Sequence, residues 1–213
     1  MNIDDYFSLT SCPFNLDKSI QEYFNYSDGV FFEAGANNGI RQSNTYVLEK
    51  LFNWTGILVE PSFWYDELVK NRERSICFNC ALVSKDWNKE TIEGDFCNKD
   101  INACNLMSMT KQSVIYNKNK NIIDVEAKTM TEIISNTSFK IFDLISLDTE
   151  GSEYSILLGF DFNKYKTKYF LIEILDNNSE NYHNIFDLLI KNGYELEEKF
   201  EGGDYLFKNK FLV

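Results

Sequence analysis

The sequence predicts an α/β fold: a single doubly wound, Rossmann-like domain with a mostly parallel sheet, helices on both faces and an antiparallel hairpin at its end. Three observations carry this expectation. Apolar runs such as Val30-Phe31-Phe32 and Ile57-Leu58-Val59 recur between stretches of helical spacing, the pattern of parallel strands buried on both faces. A glycine turn, Glu33-x-Gly35-x-x-x-Gly39, follows the first run directly, and Glu60 ends the second strand 21 residues after Gly39. Acidic residues also end later strands, at Asp148 and Glu173. Together these give the layout of a nucleoside-binding half-fold, in which a carboxylate beyond the second strand meets ribose hydroxyls.

The elements follow in order. Residues 1–28 read as a leader with one short helix near Ser19 to Asn25, ended by Gly29, and residues 29–213 as the domain proper. Val30-Phe31-Phe32 is the first strand. Apolar Tyr46, Val47, Leu48, Leu51 and Phe52 place a helix over Gln42–Phe52. Gly56–Glu60 is a strand, Phe63–Lys70 a helix and Ile76–Val83 a third strand. Residues 84–121 are polar, without clear period, and read as an excursion over the cofactor site that could carry substrate contacts or be a plain surface insertion. Ile122–Ala127 resumes as a strand, and Thr129 with Glu132 forms a capping box for a helix to Ser135. Phe142–Asp148 and Tyr169–Ile174 are central strands. Tyr182–Lys191 is an amphipathic helix with a stop signal at Asn192-Gly193, and Tyr194–Lys208 a hairpin turning at Gly202-Gly203.

Bulk composition narrows the function. Hydrophobic residues make up 44% and charged residues 25% of the 213, an ordinary globular profile. The net charge of −12 opposes a phosphate-rich polymer as partner, so no nucleic acid is expected. No apolar run approaches a membrane span. The first residues, Met1-Asn2-Ile3-Asp4-Asp5, lack the basic and apolar regions of a secretory signal, and the five cysteines are odd in number, which together point to a reducing, cytoplasmic setting. Cys77 and Cys80 form a CxxC within an apparent strand, and buried packing explains them better than a metal or redox role.

The turn lacks the middle glycine of a dinucleotide fingerprint. Asn37 and Asn38 fill it instead, offering amide donors and acceptors that suit a zwitterionic amino-acid tail better than a diphosphate. This favours S-adenosylmethionine over NAD. Asp148 and Glu150 border the same pocket at the end of their strand, with Gly151 turning the chain and Ser152 available to cap the next helix. Methyl transfer to an alcohol needs the hydroxyl proton removed, and Asp148 is the first choice of base, Glu150 the second. Asp148 could equally hold the cofactor's ammonium group. Glu173 is a candidate substrate contact, and His183, the only histidine, a further catalytic candidate near the same rim. No metal is assigned, although Asp148, Glu150 and Glu173 would offer three oxygen ligands to a divalent cation.

Glu33-Ala-Gly-Ala-Asn-Asn-Gly39, Ser43-Asn44-Thr45, Leu48-Glu49-Lys50, Trp54-x-Gly56-Ile-Leu-Val-Glu60-Pro61 and Asp148-Thr-Glu-Gly-Ser-Glu153 together resemble FkbM-family methyltransferases, with Thr129, Met130 and the late Asp204-Tyr-Leu-Phe207 in keeping. The resemblance implies a class I methyltransferase fold, S-adenosylmethionine as donor, and O-methylation of a hydroxyl, often on a sugar or polyketide-type product. By analogy Glu33, Gly35, Ala36, Asn37, Asn38, Gly39, Ser43, Asn44, Glu60, Pro61, Ala81, Leu82 and Asp148 would surround the cofactor. The family often has aspartate where Asn38 stands. The expected acceptor is a small molecule or glycan. The alternatives are an NAD-linked oxidoreductase and a non-catalytic module that binds an adenosine cofactor.

Overall fold

A computed structural model describes residues 2–96, 109–110, 122–175 and 179–212. Its main sheet has seven strands: β1 (Val30–Ala34), β2 (Thr55–Val59), β3 (Ile76–Phe78), β8 (Ile141–Leu147), β9 (Lys166–Glu173), β10 (Tyr194–Lys199) and β11 (Asp204–Asn209). They lie in the order β10-β11-β9-β8-β1-β2-β3. The pairs β1·β2, β2·β3, β1·β8 and β8·β9 are parallel, whereas β11 runs antiparallel to both β9 and β10. The chain therefore winds outward from β1 through β2 to β3, then returns to the other side of β1 with β8. The crevice at such a reversal, beyond the carboxyl ends of β1 and β8, is where ligands bind in open α/β sheets.

Alternation along the strands sends side chains to two cores. Phe32 and Ile57 face one side, with Ile133 and Ile134 of α5 (Met130–Ser135), Ile156 and Leu157 of α6 (Glu153–Leu157), and Ile185 and Leu189 of α7 (Glu180–Lys191). Phe31 and Leu58 face the other, with Ile20 of α2 (Leu16–Gln21), Leu48 of α3 (Tyr46–Phe52) and Leu68 of α4 (Tyr65–Asn71). Thr129 caps α5, its hydroxyl accepting from the Glu132 N–H at 3.1 Å while the Glu132 carboxylate accepts from the Thr129 N–H at 2.7 Å.

Four elements depart from the sequence reading. The leader holds two helices rather than one near Ser19–Asn25: α1 (Ile3–Thr10), closed by a capping box between Asn2 and Asp5, and α2, with a single 3-10 turn at Pro13–Asn15 between them. Ile20 and Phe24 are fully buried, but the helix ends at Gln21 and Phe24 packs edge-on against Trp54 from the following turn. Helix α3 starts at Tyr46 rather than Gln42, because Ser43 and Asn44 are held by Glu33 instead of by helical bonds. The strand expected over Ile76–Val83 breaks at Asn79, whose amide donates to the Glu60 carbonyl at 2.9 Å.

Beyond the break, β4 (Ala81–Leu82) joins a separate sheet of order β4-β7-β5-β6 with β5 (Thr91–Asp95), β6 (Met109–Thr110) and β7 (Ile122–Lys128). The polar excursion thus contains strand β5, whose Ile92 is buried while Thr91 and Glu93 are not. Most of the remaining excursion lies outside the described residues. Among the described residues no helix is long and apolar enough to cross a membrane.

Candidate active site

A cavity of about 560 Å³ opens at the reversal between β1 and β8, a volume suited to one cofactor and part of a second ligand. Gly35 brings the two strand ends together. It has φ +81°, and a Cβ there would lie 1.8 Å from the Asp148 carbonyl oxygen, so any side chain would force β1 and β8 apart. The Asp148 N–H in turn donates to the Ala34 carbonyl at 3.2 Å.

Of the residues expected from sequence, Gly35, Asn37, Asn44, Glu60, Pro61, Ala81, Leu82, Asp148, Glu150 and Glu173 line this cavity. Glu60 is buried at the end of β2, where Oε2 accepts from the Asn37 N–H at 2.8 Å and Oε1 from the Ser62 N–H at 2.9 Å. Two bonds leave lone pairs for a diol, since a carboxylate has about four acceptor sites. The glycine cradle and this buried carboxylate fit the amino-acid tail and ribose of S-adenosylmethionine.

Glu33, Ala36, Asn38, Gly39 and Ser43 do not line the cavity; they form the layer beneath it. Glu33 is buried and accepts from Ser43 Oγ (3.0 Å), from the Asn44 N–H (2.8 Å) and from Thr45 Oγ1. Arg72, fully buried, lies 3.7 Å from Glu33, donates Nε to Glu49 at 2.9 Å and reaches the Gly39 carbonyl with Nη1 at 3.1 Å. A Cβ at Gly39 would meet Arg72 Cγ at 2.7 Å, so this second glycine makes room for the guanidinium stem rather than for a ligand. Asn38 closes the turn, its Oδ1 accepting from the N–H groups of Ile40 and Arg41 at 3.1 and 3.0 Å. Aspartate could make those bonds equally well, but the Asn38 amide also reaches Glu67 at 3.5 Å, where a second carboxylate would be repelled.

His183 stands apart. It is exposed on the first turn of α7 and stacks edge-on against Tyr182. Ile185 points into the core, and a residue two positions earlier on a helix lies about 200° away, on the outer face. The sequence correctly put His183 early in the helix after β9 but could not give its rotation.

The acid cluster at the strand ends is larger than expected. Asp148 and Glu173 share a hydrogen bond, and with Glu150 they bring one carboxylate oxygen each within 4.8 Å of one another. Burial pushes the Asp148 carboxyl up to about 6. Burial and then the charge of Asp148 push Glu173 up further, to about 10. Two carboxylates in contact oppose each other's ionisation, which favours one proton shared by the pair. A divalent cation across the same three oxygens would relieve the repulsion by another route.

Asp204, missed as a site residue, lies directly opposite Glu173 in the β11·β9 register, and burial together with the charge of Asp148 pushes it up to about 7. Its sequence signals are its place in Asp204-Tyr-Leu-Phe207, in keeping with the family resemblance, and a carboxylate opening a strand after two glycines; because β11 is antiparallel, that start falls at the ligand edge of the sheet. Arg41, Gln42, Trp64 and the segment Cys12–Leu16 also face the cavity. Ser152 precedes α6 without a capping bond; Glu153 does the local work instead, its Oε1 accepting from the Thr149 N–H (2.9 Å), Thr149 Oγ1 (2.9 Å) and the Gly151 N–H (3.1 Å).

Several solved structures are similar to this chain at low identity. A methyltransferase from Pyrococcus furiosus is 16% identical, with 90% of this chain and 79% of that one covered and a TM-score of 0.45. A precorrin-6y C5,15-methyltransferase from Geobacter metallireducens is 9% identical over 90% of this chain and 85% of that one, with a TM-score of 0.49. A protein from Pyrococcus horikoshii, named provisionally as an RNA methyltransferase, is 11% identical over 93% and 81%, also at 0.49. No curated protein matches the chain by sequence. The methyltransferase FkbM domain matches residues 33–196, from the carboxylate that closes β1 to the hairpin, and the chain belongs to that family of S-adenosylmethionine-dependent methyltransferases.

Proposed function

We propose that this enzyme methylates a hydroxyl group of a saccharide, with Asp148 as the base. The observation that carries the reading is the close Asp148–Glu150–Glu173 carboxylate cluster, set beside Gly35 in a cavity that also holds Glu60. When bound, S-adenosylmethionine supplies the methyl group and leaves as S-adenosylhomocysteine. Glu60 accepts hydrogen bonds from the ribose hydroxyls, and the Gly35–Asn37 turn passes the amino-acid tail. Asp148, ionised at neutral pH, takes the proton of the acceptor hydroxyl as that oxygen gains the methyl group. Glu173, when protonated, donates a hydrogen bond to Asp148 or to the acceptor, which orients its partner. The polar excursion is the remaining candidate for substrate contacts. Free thiols at Cys12, Cys77 and Cys80 support a cytoplasmic setting.

The acidic cavity favours a neutral polyhydroxylated acceptor over a phosphorylated one. Incubation with methyl-labelled S-adenosylmethionine and a panel of glycosides, followed by mass spectrometry, should yield O-methyl sugars. Label found only on nitrogen or carbon would sink the reading.

A further inference from the structure

We propose that Phe14 is the platform on which the acceptor's sugar ring lies, an inference that rests on the saccharide reading above. Three independent observations meet at this residue. Phe14 lines the cavity yet is 61% exposed, so its aromatic surface is offered to whatever enters. Its backbone is left-handed, at φ 55° and ψ 17°, a conformation that bulky side chains rarely adopt and that tends to be retained at ligand sites. The ring packs against the hairpin tip, where a Cβ on Gly202 would meet Phe14 Cδ2 at 2.9 Å and Cε2 at 3.0 Å. The exposed remainder of the ring is the surface offered to the cavity.

An open aromatic face carries the negative lobe of its quadrupole and attracts the polarised C–H groups of a pyranoside ring. Asp204, in the same wall, is placed to accept from hydroxyls on the ring's rim. The location also separates the two ligands. Gly35, Glu60 and Asp148 fall within the family match over residues 33–196, whereas Phe14, Gly202 and Asp204 fall outside it. Phe14 and Gly202 thus stand beside the cavity on segments outside the matched range.

The test uses the full chain, labelled S-adenosylmethionine and methyl glycosides of neutral hexoses, with methyl glucuronoside as the charged control. Phe14→Ala should raise KM for the best neutral glycoside at least tenfold, and Phe14→Trp should restore it to within about threefold. S-adenosylhomocysteine affinity, read by calorimetry, should stay within twofold in both. Phe14→Gly should lose acceptor affinity while its melting temperature is unchanged or higher, since the left-handed strain is relieved. An unchanged KM in Phe14→Ala overturns the platform, as does a lowered melting temperature in Phe14→Gly, which would assign the residue to packing. Methylation of no glycoside by a protein that binds S-adenosylhomocysteine overturns the saccharide class itself. Failure of the wild-type chain to bind S-adenosylhomocysteine instead strikes at the underlying donor-site reading.

Discussion

Two groups of acids, one buried and one largely half-buried at the cavity wall, lie close together in this fold and have met opposite fates. Glu33 and Glu49 surround Arg72, which also stacks over Phe31 and Tyr46 at 5.2 and 5.9 Å. Asp148, Glu173 and Asp204 crowd one another instead, and among the described residues no lysine or arginine nitrogen lies within 4.0 Å of any of them. Acids beside a guanidinium are tied into the architecture by its hydrogen bonds. Acids answered only by each other must hold a proton, and a group that trades protons near neutrality is available for chemistry.

The largest expected effect breaks the first group. Arg72→Met leaves two carboxylates buried without their cation and should cost about 3–5 kcal/mol of stability, read by urea unfolding. Adding Glu33→Gln and Glu49→Gln should recover part of that loss; no recovery would mean that the guanidinium acts by packing alone. In the second group, Asp148→Asn should lower kcat about a thousandfold, roughly 4 kcal/mol, with S-adenosylhomocysteine affinity little changed. A fall in affinity at unchanged kcat would assign Asp148 to the cofactor's ammonium group.

Glu153 lies between the two cases. It is fully buried, burial pushes it from 4.5 up to about 7, and its Oε2 makes no hydrogen bond among the described residues. A raised carboxyl binds more protons folded than unfolded, so its contribution to stability is greatest below about pH 4.5 and is lost as the pH rises to about 7. The loss is on the order of 3 kcal/mol. Glu153→Gln, which mimics the protonated acid, should flatten that part of the stability profile; an unaltered profile would show that Glu153 stays charged. The smallest effect separates proton from metal. Glu173→Gln should cost less than about tenfold in kcat, with no response to a chelator, because the amide stands in for the protonated carboxyl. A large loss matched by chelator treatment of the wild type would favour a cation.

Much of this was legible in the chain itself. Strands β1, β2, β8 and β9 show as apolar runs because both faces of a parallel sheet are buried, and Gly35, Glu60 and Asp148 show because a strand-end turn needs glycine and the ligand edge collects acids. Arg72 did not. It stands in Lys70-Asn71-Arg72-Glu73-Arg74, which reads as a solvated helix end, and only the tertiary fold buries it. Phe14 was illegible, and Asp204 showed only as part of a family-like run without a role, for a related reason: they come from opposite ends of the chain and meet at the cavity through folding. His183 failed on rotation, since sequence gives position along a helix more readily than the face presented when the helix start is uncertain by a residue or two.

The contact between Gly35 and the Asp148 carbonyl has a kinetic meaning. These residues are separated by more than half of the chain, and such non-local pairings form late because loop closure is unfavourable until other contacts repay it. The segment from β1 to β3 can gather its own helices early, yet it holds no acid pair until β8 and β9 close onto it. Turnover therefore reports completed folding: a chain arrested before that closure keeps Glu60 and the glycine turn but lacks Asp148 and Glu173 beside them.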